Sequence, residues 1–137
     1  MNPPDPRTRI LVVDDDPMMR KVLAHIFSSD GYLILEADDG ATALEAAVES
    51  LPQLIAADLR MPRMSGLDLL RAARSHPALA HIPFVVFTGV HSATQALECL
   101  RHGAAGYFTK PLDGPEFRRR VKTLLGHPLE EPPVTGS

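Results

Sequence analysis

The sequence predicts an α/β protein, one parallel sheet with helices packed on both faces. Three observations carry this. Short, continuous apolar runs rich in Val, Ile and Leu recur along the chain and suit strands buried on both faces. Stretches with apolar residues at helical spacing lie between them. Acidic, hydroxyl-bearing or cationic residues stand directly after four of the runs, where the carboxyl ends of strands fall.

The elements follow in order. Ile10-Leu11-Val12-Val13 is the first strand. Asp16 before Pro17 reads as a helix N-cap followed by proline at the first helical position. Met19, Val22, Leu23 and Ile26 give the apolar stripe of that helix, and Asp30-Gly31 stops it. Leu33-Ile34-Leu35 is the second strand. Leu44, Ala47, Val48 and Leu51 mark the second helix, closed by Pro52, and Leu54-Ile55-Ala56-Ala57 is the third strand. The third helix runs from Gly66 to about Ser75 and ends at His76-Pro77. Pro83 to Phe87 form the fourth strand. Ala93, Ala96, Leu97 and Leu100 are the stripe of the fourth helix, capped by Gly103. Ala105 to Phe108 form a short fifth strand. Phe117, Val121 and Leu124 stripe the fifth helix, which Gly126 ends.

Strand and helix alternate without any repeated motif, as in an open parallel sheet built from right-handed crossovers. A chain of 137 residues is one domain by size, and an apolar fraction of 45% is enough for a single core. Aromatics are only 5%, so aliphatic side chains must fill it. The folded part is expected over 9–126. Residues 1–8, with Pro3, Pro4 and Pro6, read as a disordered tail, and 127–137 as a flexible, proline-rich tail or linker.

Several function classes are disfavoured. The net charge of −3 shows no basic excess, so no direct nucleic-acid binding is expected. The cluster Arg118-Arg119-Arg120 with Lys122 reads as a solvated helix face. No apolar run approaches the ~18 residues of a membrane span, and the N-terminus lacks the apolar stretch of a secretory signal. One cysteine, Cys99, makes no internal disulfide and fits a reducing compartment. A cytoplasmic location, away from membranes, is the resulting expectation.

The chemistry lies at the strand ends. Asp14, Asp15 and Asp16 follow the first strand, Asp58 the third, Thr88 and Gly89 the fourth, and Lys110 and Pro111 the fifth. Ligands of such sheets bind at carboxyl ends, where the strand order reverses. In the order 2-1-3-4-5, common to one class of these sheets, the first and third strands are neighbours and Asp14, Asp15 and Asp58 converge. Crowded carboxylates repel, and a hard divalent cation removes the conflict. Mg²⁺ takes oxygen ligands and keeps several waters. No His or Cys stands at metal-ligand spacing, which argues against zinc. An aspartate can serve as a nucleophile toward phosphorus. Phosphoryl transfer then requires positioning and charge stabilisation, which Lys110, the Thr88 hydroxyl and the backbone at Gly89 could supply.

These residues resemble the receiver domain of bacterial two-component response regulators. The matching stretches are Ile10 to Asp16, Asp58-Leu59-Arg60-Met61-Pro62-Arg63-Met64-Ser65-Gly66, Phe87-Thr88-Gly89, and Gly106-Tyr107-Phe108-Thr109-Lys110-Pro111. The resemblance covers about Arg9 to Gly126, and no position of the family's motif is missing. It implies a flavodoxin-like (βα)5 three-layer sandwich with strand order 2-1-3-4-5. It implies that Asp58 accepts the phosphoryl group, and that Asp15, Asp58 and the backbone carbonyl of Arg60 hold Mg²⁺, with Asp14 acting through a water. Thr88 and Lys110 would bind the phosphoryl group. Thr88 and Tyr107 would form the switch. The Lys110–Pro111 bond is often cis in the family; at this level both isomers stay open. Arg60 and Val90 occupy the two positions that tune phosphoryl lifetime in the family.

The partners implied are a sensor histidine kinase or histidine phosphotransfer protein as donor, and a downstream protein or tethered output domain as reader. A homodimer through helices four and five is a further candidate. The reading is a signalling domain and not a turnover enzyme. A metal-dependent phosphatase needs a second acid two residues after its nucleophile, and Arg60 stands there. The alternative is a phosphorylation-independent pseudo-receiver, a binding module with the same fold.

Overall fold

The computed structural model describes residues 6–129. Ten elements alternate along it. They are β1 (Arg9–Val13), α1 (Pro17–Ile26), β2 (Leu33–Ala37), α2 (Gly40–Ser50) and β3 (Leu54–Asp58), then α3 (Gly66–Ser75), β4 (Phe84–Thr88), α4 (Ala93–Arg101), β5 (Gly106–Thr109) and α5 (Gly114–Leu125). The strands form one sheet in the order β2-β1-β3-β4-β5, and every pair is parallel. This is the expected flavodoxin-like (βα)5 sandwich.

Side chains alternate across each strand, so one apolar run feeds two cores. Leu11, Val13, Ile55, Ala57, Phe84 and Val86 face the side covered by α2, α3 and α4, against Ala43, Ala47, Leu69, Leu70, Ala73 and Cys99. Ile10, Val12, Leu54, Ala56, Val85 and Phe87 face the other side, against Leu23 and Phe27 of the α1 region and Phe117 and Val121 of α5. The three central strands are buried throughout apart from Arg9 at the edge of β1.

Local sequence explains the helix starts. Asp16 accepts from the Met18 N–H with Pro17 in the first turn, Asp39 caps α2, and Asp113 caps α5. Ser65 and Asp68 form a reciprocal capping box at α3.

Three apolar stripes differ from expectation, the first being that of α1, where Val22 is 43% exposed. In α2, Val48 and Leu51 are 41% and 47% exposed, and Ala43 joins the expected Ala47 in facing the sheet. The small residues let the helix lie close, which turns the larger ones outward. Leu51 ends the helix in the left-handed region, φ 49°. Arg9 holds that end, donating to the carbonyls of Ser50 and Leu51 at 2.9 Å each. In α4, Leu97 and Leu100 are both 50% exposed, and Cys99 is the buried contact.

The packed domain reaches past Gly126. The His127 N–H donates to the Lys122 carbonyl, and His127 Nδ1 lies 2.6 Å from the Tyr32 hydroxyl. The remainder of the predicted tails, 1–5 and 130–137, lies outside the described residues. No helix among the described residues is long and apolar enough to cross a membrane.

Candidate functional site

The site forms at the carboxyl edge of the sheet, from the residues that end or follow β1, β3, β4 and β5. Asp14 extends the β1–β2 ladder by one step, its N–H donating to the Ala37 carbonyl at 3.1 Å. That places its side chain inside the domain, with no exposed surface. Asp58 is the last residue of β3 and is also buried. Asp15 is exposed at the rim. Carboxylate oxygens of Asp14, Asp15 and Asp58 all lie within 4.8 Å of one another. Strands β1 and β3 are adjacent, and this alone brings together acids far apart in sequence.

Lys110 neutralises part of this charge. Its Nζ donates to Asp58 Oδ2 at 3.0 Å and to Asp14 Oδ2 at 3.2 Å. Its backbone N–H donates to the Thr88 carbonyl at 2.8 Å, and its ammonium lies 5.3 Å from the Phe87 ring centroid. The Lys110–Pro111 peptide is cis. Burial alone would lower the Lys110 ammonium, but the hydrogen bond and charge of Asp58, with those of Asp14, more than offset it and raise its pKa. Asp14 is raised as well, first by burial and further by the Asp58 charge. The Asp16 N–H and Lys110 pull it the other way without cancelling this. Three carboxylates facing one ammonium leave a net negative, oxygen-only pocket. That donor set fits a hard divalent cation and not a thiophilic one.

The second oxygen of each buried acid is held by backbone. Asp14 Oδ1 accepts from the Asp16 N–H at 2.9 Å, and Asp58 Oδ1 accepts from the Arg60 N–H at 3.0 Å. The Arg60 side chain points to solvent. Beneath it the chain turns into α3, with Gly66 donating to the Leu59 carbonyl at 3.1 Å. A Cβ on Gly66 would lie 2.3 Å from the Asp58 carbonyl oxygen, so only glycine permits this approach.

Thr88 ends β4, one residue beyond Phe87, which pairs with Asp58. It is fully buried, and its Oγ1 accepts from the Val90 N–H at 3.3 Å. A Cβ on Gly89 would meet nothing within 4 Å, so that position faces open space. Tyr107 is half-buried on β5 and donates its hydroxyl to the Val90 carbonyl at 3.2 Å. Thr88 and Tyr107 thus engage the two sides of one residue, Val90.

The structure therefore brings together Asp14, Asp15, Asp58 and Lys110, with Thr88 on the adjoining strand and Tyr107 one strand further out. One residue escaped the sequence reading. Arg20 of α1 donates from Nη1 to the Asp14 carbonyl at 2.7 Å, and from Nε to Glu36 of β2 at 3.0 Å. The available signal was Glu36, a lone charge in the run Leu33-Ile34-Leu35-Glu36-Ala37.

A five-stranded parallel sheet of this order, with an acid pocket over its β1/β3 edge, defines the class: a flavodoxin-like domain with a candidate cation site at the switch point. Residues 10–122 match the family model described as the response regulator receiver domain, and the chain belongs to that family. It is 32% identical to the chemotaxis protein CheY of Pseudomonas aeruginosa, over 85% of this chain and 95% of that protein. It is 37% identical to histidine kinase P4 of Formosa agariphila, over 87% of this chain but 9% of the kinase. With response regulator PleD of Caulobacter vibrioides the identity is 35%, over 85% of this chain and 26% of PleD. The chain thus spans only a small part of those two longer relatives. Among solved structures, Vibrio cholerae CheY4 superposes with a TM-score of 0.81 at 26% identity, covering 86% of this chain and 98% of that one.

Proposed function

We propose that this domain accepts a phosphoryl group on Asp58 in the presence of Mg²⁺ and signals the change to a partner protein or a tethered output domain. The observation that carries this reading is the convergence of the Asp14, Asp15 and Asp58 carboxylates, with the Lys110 ammonium donating to Asp14 and Asp58.

In this reading Asp15, Asp58 and the Arg60 carbonyl would hold the ion, with Asp14 acting on it less directly. The ion, when bound, supplies positive charge against the phosphoryl oxygens. The donor is a phosphohistidine on a sensor histidine kinase or histidine phosphotransfer protein. A carboxylate oxygen of Asp58 bonds to phosphorus as the phosphorus–nitrogen bond breaks, and the imidazole leaves with the electron pair and takes a proton from solvent. Lys110 follows one phosphoryl oxygen and the Thr88 hydroxyl meets another. Because Thr88 Oγ1 and the Tyr107 hydroxyl both bind Val90, a shift of Thr88 alters the hold on Tyr107. That reshapes the surface of α4, β5 and α5, a two-state element biased by local contacts. The exposed Leu97 and Leu100 on α4 make this face the candidate contact for a reader or a second copy. The domain is a phospho-acceptor and not an enzyme turning over other substrates, and it acts in the cytoplasm.

The test is labelling by a small phosphodonor, with and without Mg²⁺. Labelling should require Mg²⁺ and vanish in Asp58→Asn. Label that persists in that variant sinks the assignment of Asp58. Absence of both Mg²⁺ binding and labelling in the unaltered domain would favour the phosphorylation-independent pseudo-receiver.

A further inference from the structure

We infer that Arg20 is a positioning residue of the cation site, acting through the peptide that joins Asp14 to Asp15. This rests on the reading of the acid cluster as a Mg²⁺ site.

The Asp14–Asp15 peptide sets the direction in which the Asp15 side chain leaves the backbone. Asp15 is exposed, and no hydrogen bond to another described residue holds its carboxylate. Its aim therefore depends on the main chain. On one side of Asp14 the N–H is tied to the Ala37 carbonyl of β2. On the other side the carbonyl accepts from Arg20 Nη1 at 2.7 Å, a charge-assisted bond. Arg20 is in turn anchored at the base of α1, where its own N–H donates to the Asp16 carbonyl. The loop 14–16 is thus closed at both ends by the same residue.

Glu36 completes the device. It lies on β2 opposite Val12, and its Oε1 accepts from Arg20 Nε at 3.0 Å. With the Glu36 side chain 46% exposed, the ion pair itself adds little stability. Its effect is geometric and electrostatic. It fixes the guanidinium so that Nη1 faces the carbonyl, and it offsets a positive charge that would otherwise disfavour a cation at the acid cluster. A guanidinium can serve both acceptors at once because its donors form a rigid fork; an ammonium is a single point.

Two effects of removing Arg20 oppose each other. Loss of its charge tightens cation binding, and loss of the clamp loosens it. The clamp is inferred to dominate, because Glu36 already offsets the charge. Outer-shell groups that orient ligands change metal affinity by about tenfold to a hundredfold. A clamp acting through backbone belongs at the lower end.

Mg²⁺ titration calorimetry on the whole chain, run beside urea unfolding without Mg²⁺, tests this. Arg20→Met and Arg20→Lys should each weaken the Mg²⁺ Kd by about tenfold, and Glu36→Gln, which keeps an acceptor for Nε, should stay within about twofold. At saturating Mg²⁺, phosphodonor labelling of Arg20→Met should return toward the unaltered rate, as an affinity effect requires. An unchanged or tighter Kd in Arg20→Met, even with lower stability, overturns the inference and leaves Arg20 a structural residue. Failure of the unaltered chain to bind Mg²⁺ would overturn the cation-site reading and this inference together, while Mg²⁺ binding that is insensitive to Arg20 removes only the latter.

Discussion

Lys110 reaches Asp58 across 52 positions of sequence, its Nζ donating to Asp58 Oδ2 at 3.0 Å. The same ammonium serves Asp14, so a cation held by these carboxylates would sit beside a positive charge. Even with the full screening of bulk water, two like unit charges about 4 Å apart repel by about 1 kcal/mol, a lower bound for an ammonium beside a divalent cation. Lys110→Met should therefore bind Mg²⁺ about fivefold more tightly, a figure set by that repulsion. It should lose the conformational response to phosphorylation at the same time. Calorimetry with Mg²⁺ and amide chemical shifts before and after a phosphodonor check the two halves; weaker Mg²⁺ binding would contradict the first.

Thr88 is buried with its hydroxyl used only locally, as acceptor for the Val90 N–H. Thr88→Ala should cost about 2 kcal/mol of stability, about half from the hydrogen bond and half from the buried methyl. Labelling of Asp58 should continue, but Tyr107 should no longer respond to it. Ring chemical shifts of Tyr107, compared with and without phosphodonor, read this directly.

Gly66 tests how tightly the site depends on a backbone contact. An added Cβ would sit 2.3 Å from the Asp58 carbonyl oxygen and 2.9 Å from Leu59 Cα. Both are main-chain atoms and cannot rotate away. Gly66→Ala should lower the unfolding free energy by about 3 kcal/mol, the upper range for overpacking, and weaken Mg²⁺ binding because Asp58 must shift. Urea unfolding and Mg²⁺ titration together measure this.

Far from the site, Asp30 lies between Arg118 and Lys122, with Nε of Arg118 and Nζ of Lys122 each 2.9 Å from a carboxylate oxygen. Burial by itself raises the Asp30 carboxyl, but the hydrogen bonds from Arg118 and Lys122, with their charges, outweigh it and hold its pKa below the ordinary value. The folded-state value is therefore below the unfolded one, about 3.9. Its stabilisation is fully present above that unfolded value and is lost as pH falls through the lower folded one. The urea midpoint should drop steeply below about pH 4, and the drop should shrink in Asp30→Asn. At neutral pH that variant should be about 3 kcal/mol less stable, because the buried Lys122 ammonium loses its partner.

Much of this was legible in the chain alone. The apolar runs at Ile10, Leu54 and Pro83 are unambiguous because strands buried on both faces need unbroken apolar sequence. Asp14, Asp15, Asp58, Thr88 and Lys110 could be found because each follows such a run. The faces of α2 and α4 were less legible. Val48, Leu97 and Leu100 have the spacing of a buried stripe, yet small residues and Cys99 take the inward positions. Periodicity shows that a helix has an apolar side, but how closely the helix approaches the sheet decides which part of that side is covered. The clamp of Arg20 on the Asp14 carbonyl was out of reach for a related reason: it joins a side chain to a backbone oxygen, and no residue type marks that oxygen.

By itself, the sequence determined the alternation of strands and helices, their caps, and which residue types stand at the strand ends, because propensity, capping and periodicity act over a few neighbouring residues. The tertiary structure decided that β1 lies beside β3, that Lys110 spans two strands to meet two acids, and that Gly66 touches the Asp58 backbone. These depend on strand order and on close approach between segments distant in the chain, which only the packed sheet imposes.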